Sequence, residues 1–294
     1  MNVGIWISEF LPKNSILEAS LINVCEVLKK KNISIYFPDF LYSQLSAKTK
    51  DTLHPLCLLF DVLPPLDMML SIGGDGTFLR TASYVGRSGI PIIGVNTGRL
   101  GFLADINLKD LDKTFDLLIN GQYKIEERSL LSVYSDEEIE FANAGVALNE
   151  VAVMKQDTSS MISVHAYIND EYLNSYQADG VLVSTPTGST AYSLSIGGPI
   201  LASDAPNLIL GAIAPHSLTT RPLVITDDRV ISLKVESRTR NYLVSIDGNS
   251  HILPDKVLLH IKKADFTTKI IKPDGHTFFK TLREKLMWGA DVRK

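Results

Sequence analysis

An apolar run that stops at three glycines around one carboxylate is the feature that most restricts how this chain can fold. Residues 68–72 are Met-Met-Leu-Ser-Ile, which is typical of a short buried strand, and the next five residues are GGDGT. Glycines allow a turn with positive φ and let a ligand approach the main chain closely. The residues from Thr77 onward predict a helix whose first N–H groups point back at the turn, as in phosphate sites. The sequence therefore predicts a phosphate site with Asp75 beside it.

Two roles for Asp75 fit this pattern. In the structural role the carboxylate caps the helix, and in the functional role it acts as a base or orients a hydroxyl group next to the phosphates. An aspartate with an ordinary pKa of about 3.9 is a weak base for an alcohol. Phosphoryl transfer through a loose transition state, however, requires little early proton abstraction, and neighbouring phosphates would raise the pKa of the carboxyl group. We favour the functional role.

Strand and helix patterns alternate over the first third of the chain. Such alternation implies parallel pairing with right-handed crossovers, and ligands of such sheets bind beyond the carboxyl ends of strands, where Asp75 falls. The predicted fold class is therefore an α/β N-terminal domain with a Rossmann- or phosphofructokinase-like parallel sheet. The predicted strands are residues 3–7, 33–37, 68–72 and 90–95; the predicted helices are residues 16–31, with a capping box of Ser15 and Glu18, and residues 108–118, closing at Gly121.

Short β-rich segments without helical periodicity follow, which predicts a mostly antiparallel β C-terminal domain. Asp247-Gly248 is the signal of a tight hairpin. A polar helix is expected over residues 278–288 and could pack back on the first domain. We expect the α/β domain at 1–122, the β-rich domain at 123–268 and a helical tail at 269–294. The strands predicted in the second domain are residues 146–154, 161–168, 180–184, 230–235, 242–246 and 256–261.

Composition argues against several function classes. The chain has 294 residues, enough for two domains, with the 45% hydrophobic and 21% charged residues of a globular protein. A net charge of −4 argues against nucleic acid or a membrane surface as a partner, and no apolar run approaches the ~20 residues that span a bilayer. The N-terminus does not resemble a signal peptide, two cysteines fit a reducing compartment, and the six histidines form no metal-binding motif. We therefore expect a cytoplasmic protein with no metal ligated by its side chains.

Two polar segments of the second domain are candidates for ligand binding. The hydroxyl-rich loop, residues 185–195, carries seven hydroxyl-bearing side chains that can bond ribose, phosphate and base edges, and Tyr192 can stack on an aromatic ring. The alternative is a polar surface loop, but an apolar strand before it and residues 197–199 (Gly-Gly-Pro) after it favour binding. Asn149 and Glu150 interrupt an apolar strand, where an unpaired charge is costly. They form either a bulge or exposed edge, or a clamp on vicinal ribose hydroxyls.

Other residues are weaker candidates. Residues 96–103 form a second glycine-punctuated turn after a strand and could wall the same cleft. Arg80, expected on the first turn of its helix, could meet a phosphate or lie in solvent. Asn249 and His216 could approach the site, although residues in such positions are more often structural. Both cysteines are expected in the core.

Taken together, these segments resemble the NAD kinase family. GGDGT, GVNTGRLGFL, the Asn149-Glu150 pair, ADG followed by STPTGSTAYSLSIGGP and the later DGN turn occur in that family's order, over roughly residues 68–250. The long central motif is specific, whereas GGDG alone is shared with lipid kinases and phosphofructokinases. The resemblance implies ATP-dependent phosphorylation of the adenosine ribose 2′-hydroxyl of NAD to give NADP, with a divalent metal, Mg²⁺, on the ATP phosphates. It also implies a homo-oligomer, a dimer or a tetramer.

The resemblance assigns roles to residues of both domains by their position in the family's motifs. Asp75 would accept the hydroxyl proton, and Gly73, Gly74 and Gly76 would admit the phosphates. Asn149 and Glu150 would engage the ribose, Thr190, Ala191 and Tyr192 would surround adenine, and Asp179 with Ser195 would contact other parts of the dinucleotide. The remaining binding candidates are Arg80, Gln177, Thr187, Ser193, Leu194 and Asn249.

Three positions depart from the family's pattern. Asn249 stands where the family commonly has glutamine, and Ser160 and Gln177 are uncharged where members often place basic or imidazole side chains. Because of these departures, the family pattern does not determine which residues bind the pyrophosphate or whether ATP or another phosphoryl donor is used. Two alternative functions follow from weaker matches. A lipid or sphingoid kinase would need an apolar acyl channel or membrane-facing patch, and a non-catalytic dinucleotide sensor would not need Asp75.

Overall fold

The structure is a computed structural model that describes residues 1–7, 15–98, 101–157 and 160–287. It divides into two compact units. Unit 1 consists of Met1–Glu127 and Thr268–Lys294, and unit 2 consists of Arg128–Thr267. The chain therefore leaves unit 1, builds unit 2, and returns to unit 1 with its last segment.

Unit 1 alternates strands and helices, as its sequence predicts. Short 3₁₀ turns at Gly86–Ser88 and Leu108–Asp110 complete it. Its strands are β1 (Asn2–Ile7), β2 (Ser34–Pro38), β3 (Cys57–Phe60), β4 (Met68–Ile72), β5 (Ile92–Asn96) and β6 (Ile106–Asn107), and its helices are α1 (Ser15–Lys30), α2 (Asp39–Ser43), α3 (Ala47–Leu53), α4 (Asp75–Val85) and α5 (Leu111–Ile119).

The sheet of unit 1 is parallel and doubly wound. Its neighbours run in the order β3, β2, β1, β4, β5, with β6 also beside β5. The strand order reverses between β1 and β4, and ligands of such sheets bind at this switch point, outside the carboxyl ends of the strands. Every residue of β4 and β5 is buried, which is why both segments read as apolar runs. The GGDGT turn follows β4 and therefore lies at the switch point.

Glu18, which the sequence places in a capping box with Ser15, accepts hydrogen bonds from residues outside its own helix. Its carboxylate accepts hydrogen bonds from the Ser46 N–H at 3.0 Å, the Ser46 hydroxyl at 2.6 Å and the Thr49 hydroxyl at 2.5 Å. The bond from the Ser46 hydroxyl is the main reason that the pKa of Glu18 is lowered. Glu18 thus ties α1 to the beginning of α3.

The helix after the glycine turn begins two residues earlier than predicted. It starts at Asp75, so Arg80 lies on its second turn and not on the first. The last predicted helix of this region starts later than expected, at Leu111, because a 3₁₀ turn takes the preceding three residues. Strand β3 and helices α2 and α3 were not predicted, since they are short and β3 is half exposed.

Unit 2 is built mainly from antiparallel strands, which confirms the predicted fold class. Short helical segments lie at Ala142–Gly145, Thr187–Thr190 and α6 (Tyr192–Ser195). The strands are β7 (Tyr123–Ser135), β8 (Val146–Ala147), β9 (Glu150–Lys155), β10 (Ile162–Ile168), β11 (Glu171–Ala178), β12 (Gly180–Ser184), β13 (Asn207–Ile213), β14 (Leu223–Thr226), β15 (Ile231–Glu236), β16 (Asn241–Ile246), β17 (Asn249–Pro254) and β18 (Leu259–Pro273). The boundaries between the units fall within β7 and β18.

Two antiparallel sheets supply the core of unit 2. One runs β14, β13, β12, β9, β16, β17, and the other contains β11, β10, β15 and β18. A single cluster of buried apolar residues contains side chains from both sheets. In β9, Val151 and Val153 belong to this cluster, whereas Ala152 belongs to a smaller cluster. Alternation with a period of two residues therefore places one side of the strand in the main core.

The predicted hairpin and the predicted C-terminal helix are both confirmed. Strands β16 and β17 meet in a tight turn at Asp247 and Gly248, which have φ angles of 48° and 85°. After unit 2 the chain returns to the sheet of unit 1, where Ile270 pairs parallel with Ile92. The last helix within the described residues is α7 (Phe278–Leu286). Among the described residues, no helix is long and apolar enough to cross a membrane.

Candidate active site

Asp75 lies in the turn after β4 but does not cap the helix that it begins. The N-cap residue of α4 is Gly74, which has no side chain to accept a hydrogen bond. Gly73 has a φ of 154°, and a Cβ at this position would lie 2.3 Å from Oγ1 of Thr77. A Cβ at Gly74 or Gly76 would meet no atom within 4 Å. The turn therefore needs glycine at its first position and leaves open space at the other two.

The main chain of the second glycine-punctuated turn holds the Asp75 carboxylate. Oδ2 accepts the Phe102 N–H at 2.9 Å, and Oδ1 accepts the N–H groups of Leu103 and Ala104, both at 3.0 Å. Gly101 makes room for this contact, because a Cβ there would lie 1.9 Å from Oδ1 of Asp75. The turn thus fixes the direction of the carboxylate.

A lysine from the C-terminal helix also reaches Asp75. The Nζ atom of Lys285 donates to Oδ2 at 3.4 Å and lies 4.4 Å from the centroid of the Phe102 ring. The side chains of Asp75 and Lys285 are each 31% exposed. The ion pair is therefore accessible to a ligand.

In unit 2, Asn149 and Glu150 stand at a break between two strands. Strand β8 ends at Ala147, and β9 begins at Glu150. The N–H groups of Leu148, Asn149 and Glu150 donate to the Asp247 carboxylate at 2.6, 2.9 and 3.0 Å. Burial raises the pKa of Asp247, and the three hydrogen bonds oppose this effect. Asp247, which the sequence suggested only as a turn residue, thus shapes the backbone of the polar pair.

The Glu150 side chain is buried close to Asp247. Burial, followed by the charge of Asp247, raises the pKa of Glu150 to about 8, although an N–H bond from Tyr192 lowers it. The Glu150 Oε2 atom has no hydrogen-bond partner among the described residues. Because a buried polar atom without a partner is costly, this oxygen is suited to a ligand hydroxyl.

Three of the seven hydroxyl groups of the hydroxyl-rich loop support the loop itself. Thr185 and Ser189 are completely buried and bond main-chain groups around them. The Thr190 hydroxyl donates to the Thr187 carbonyl at 3.2 Å. Tyr192, in contrast, is 37% exposed, so its ring is available for stacking. Of the other candidates in the loop, Ala191 and Leu194 are half-buried, Ser195 is exposed, and Ser193 is buried with no bond to its hydroxyl among the described residues.

The candidates of unit 2 fall at opposite ends of β12. At one end Ser184 pairs with Glu150 and leads into the hydroxyl-rich loop. At the other end Asp179 precedes the strand, and its Oδ1 lies 2.6 Å from Nζ of Lys155. A five-residue strand spans roughly 15 Å, so Asp179 and Glu150 are not in one cluster. Asn249 is exposed and directly follows the Asp247 turn.

Gln177 lines an open cavity of about 910 Å³ within unit 2. Ser160 lines the same cavity, together with the basic side chains of Lys234, Arg238 and Arg240. Positions 160 and 177 lack the charge expected from the family resemblance. Neighbouring strand and loop residues supply charge of both signs to this cavity, since Glu236 and Asp255 line it as well.

Sequence reasoning missed three elements of these candidate regions. The N–H groups that hold Asp75 carry no side-chain signal, although the glycine at 101 pointed to a close approach. Lys285 is 210 positions away from Asp75 along the chain and belongs to no motif. The sequence indicated Asp247 only as part of a tight turn, so its role as a hydrogen-bond acceptor for residues 148–150 was missed. Residues 99 and 100 of the second glycine-punctuated turn lie outside the described residues.

The fold and the glycine turn define a class of protein in which an α/β unit carries a GGDG turn and is joined to an antiparallel β unit. Comparisons with known proteins narrow this class. The ATP-NAD kinase N-terminal domain matches residues 12–123, and the ATP-NAD kinase C-terminal domain matches residues 148–273. The chain belongs to the NAD kinase family, which confirms the resemblance found in its sequence.

Individual relatives agree with this assignment. The chain is 51% identical over 227 residues to the NAD kinase of Bacteroides fragilis, covering 77% of this chain and 78% of the relative. It is 50% identical over 242 residues to the NAD kinase of Porphyromonas gingivalis, covering 82% and 83%.

Two solved structures share the fold. The yeast NADH kinase complexed with NADH has a TM-score of 0.85 at 23% identity, covering 100% of this chain and 89% of that chain. An NAD kinase from Archaeoglobus fulgidus in complex with ATP has a TM-score of 0.74 at 24% identity, covering 98% and 99%.

Proposed function

We propose that this chain transfers the γ-phosphoryl group of ATP to the 2′-hydroxyl of the adenosine ribose of NAD, giving NADP and ADP. The observation that carries the proposal is the Asp75 carboxylate, which three peptide N–H groups fix at the start of α4 while a third of the side chain stays exposed. Membership of the NAD kinase family supports NAD as the acceptor.

The proposed reaction mainly requires positioning. The 2′-oxygen forms a bond to the γ-phosphorus, the bond from that phosphorus to the bridging oxygen breaks, and ADP leaves. Since the transition state is loose, the hydroxyl proton departs late. Asp75 orients the hydroxyl, accepts its proton and releases it to solvent. Because the carboxylate direction is set before the substrate arrives, little orientation entropy is lost at the reacting centre.

Residues of unit 2 hold the dinucleotide in this proposal. Glu150, with its unpaired Oε2, and Asn149 bind the ribose hydroxyls. The exposed ring of Tyr192 stacks on adenine, with Thr190 and Ala191 beside it. The other contacts are assigned to Gln177, Asp179, Thr187, Ser193, Leu194, Ser195 and Asn249.

The triphosphate is bound by the glycine turn. Gly74 and Gly76 leave the main chain open, and the first N–H groups of the 11-residue helix α4 favour an anion. The described residues contain no group of three His, Cys, Asp or Glu side chains that could hold a metal. Mg²⁺ is commonly bound through substrate phosphates and one or two carboxylates, so it enters here as part of the ATP complex.

The alternatives and the cellular setting rest on fewer observations. A lipid kinase and a dinucleotide sensor are less favoured, because the compared relatives are named NAD kinases and Asp75 is present. The free cysteines Cys25, which is buried, and Cys57, which is half-buried, support a cytoplasmic location. The family resemblance supports a homo-oligomer, a dimer or a tetramer, which light scattering of the purified chain would test.

Labelled ATP with NAD as acceptor tests the proposal, with the labelled phosphate located on the product by mass spectrometry. Asp75→Asn should lower kcat by about two to four orders of magnitude, as for loss of a positioned proton acceptor, while NAD still binds. Asp61→Asn, on an exposed residue, is the control and should keep full activity. Labelling of diacylglycerol but not NAD would reject the proposal, and near-normal turnover of Asp75→Asn would remove Asp75 from the mechanism. Parallel reactions with NADH, and with polyphosphate as donor, would define substrate preference.

A further inference from the structure

Helix α7 contacts two carboxylates at the second glycine-punctuated turn. Thr281 and Lys285 are one helical turn apart and therefore lie on the same helix face. The Thr281 hydroxyl lies 3.5 Å from Oδ2 of Asp105, and Lys285 reaches Asp75. Asp105 also forms a buried ion pair with Lys272, at 2.7 Å. These contacts anchor α7, so Lys285 is held near Asp75 by its helix and not only by its own ion pair.

The acceptor capacity of Asp75 is full in this arrangement. A carboxylate offers about four lone-pair positions. Two on Oδ1 accept the N–H groups of Leu103 and Ala104, and two on Oδ2 accept those of Phe102 and Lys285. A substrate hydroxyl can bind to Asp75 only if one of these donors leaves.

Lys285 is the donor that can leave. Its contact of 3.4 Å is the longest of the four, and its side chain is flexible and 31% exposed. The other three donors belong to the main chain, at 2.9 to 3.0 Å. The displaced ammonium group would remain in the neighbourhood, because it already lies over the Phe102 ring, 4.4 Å from the centroid, and its helix is anchored through Thr281.

We propose that Lys285 is a further substrate-binding residue, which yields its place on Asp75 to the acceptor hydroxyl and pairs with phosphoryl oxygens of the donor. A triphosphate in the glycine turn brings negative charge close to a carboxylate, and a neighbouring cation offsets that repulsion. The exchange leaves Asp75 free to orient the hydroxyl while the cation stabilises the transferring group. This inference rests on the proposed function for the identity of the donor.

Binding of Mg·ATP, measured by titration calorimetry, tests the inference without turnover. Lys285→Met removes the charge but keeps a long unbranched side chain, and should weaken Mg·ATP binding by about five- to twenty-fold, the range of a partly exposed charge-assisted contact. Lys285→Arg should restore binding, and NAD binding should not change. Lys280→Met, an exposed lysine on the same helix, is the matched control and should bind Mg·ATP as the unchanged protein does.

The same measurement in the Asp75→Asn background separates the two possible actions of Lys285. If the ammonium group contacts the phosphates, Lys285→Met weakens Mg·ATP binding there as well. If the loss disappears in that background, Lys285 acts only through Asp75 and the inference is overturned. An equal loss of NAD and Mg·ATP affinity would also overturn it, because that pattern indicates a structural role.

Failure of this inference differs from failure of the proposed function. If the unchanged protein does not phosphorylate NAD but Lys285→Met still weakens Mg·ATP binding, the proposed acceptor is wrong and the role of Lys285 stands. If NAD is phosphorylated and Lys285→Met binds Mg·ATP like Lys280→Met, Lys285 has no role in donor binding.

Discussion

Replacing Gly101 by alanine should disable the enzyme by moving one carboxylate. The new Cβ would lie 1.9 Å from Oδ1 of Asp75, and atoms in such contacts stay at least 3.0 Å apart. The Asp75 carboxylate or the backbone at residue 101 must therefore shift by about 1 Å. The change acts on the position of Asp75.

The shift sets the size of the expected effect. A misplacement of about 1 Å at a reacting group costs on the order of 100-fold in rate. Because the shift also lengthens hydrogen bonds from the main chain, each worth about 0.5–1.5 kcal/mol net, the free energy of unfolding should fall by about 1–2 kcal/mol. Loss of activity should thus far exceed loss of stability, and affinity for NAD should be retained.

A second glycine in the same turn provides the control. A Cβ at Gly98 would meet no atom within 4 Å, and the φ of Gly98 is outside the positive range. Gly98→Ala should therefore keep kcat and thermal stability near those of the unchanged protein. The assay is steady-state transfer of labelled phosphate from ATP to NAD, with calorimetric NAD binding and thermal unfolding of both variants. Equal kcat values for Gly98→Ala and Gly101→Ala would refute the role of the turn in positioning Asp75.

Two further predictions concern buried charges. Burial raises the pKa of Glu150 from 4.5 to about 8, so the folded state holds this proton more tightly and the wild type loses stability as pH rises between these values. Glu150→Gln should therefore raise the free energy of unfolding at pH 8 to 9 by up to about 5 kcal/mol, at about 1.4 kcal/mol per pKa unit, and have little effect near pH 5; an equal effect at both pH values in urea unfolding would contradict this. Lys272→Met should leave Asp105 buried without its cation and lower the free energy of unfolding by about 3–5 kcal/mol, with partial recovery in the double variant with Asp105→Leu. If Lys272→Met unfolds at the same temperature as the unchanged protein, the buried pair is not the support for α7 that its geometry indicates.

Much of the fold follows from local patterns. Strand β4 has the predicted bounds because all five of its residues are buried, four of them are apolar, and the glycines that follow end the strand abruptly. The hairpin at Asp247-Gly248 was predictable because a two-residue turn with positive φ at both positions favours the sequence Asp-Gly. Short or half-exposed elements such as β3 have too few residues to show a recognisable hydrophobic periodicity. Helix starts shift by a turn or less, because caps depend on geometry that spacing does not specify.

The candidate site divides in the same way. Asp75 and the hydroxyl-rich loop were recognisable because glycine and hydroxyl residues are concentrated there. The internal use of Thr185 and Ser189 was not recognisable, since a hydroxyl that supports a loop has the same sequence signal as one that binds a ligand. The raised pKa of Glu150 depends on burial beside Asp247, which is 97 positions away.

By itself, the sequence determined the alternation of strands and helices, the glycine turn with its acid, the β-rich second part and the family. These properties depend on periodicity and on residue types within short windows, where backbone sterics and burial act locally. Only the tertiary structure decided that peptide N–H groups of residues 102–104 hold Asp75, that Lys285 neutralises it, and that Asp247 supports the backbone at Asn149 and Glu150. Hydrogen bonds and charge pairs form between groups that folding brings within about 3 Å of each other, and that proximity is a property of the packed chain and not of its order.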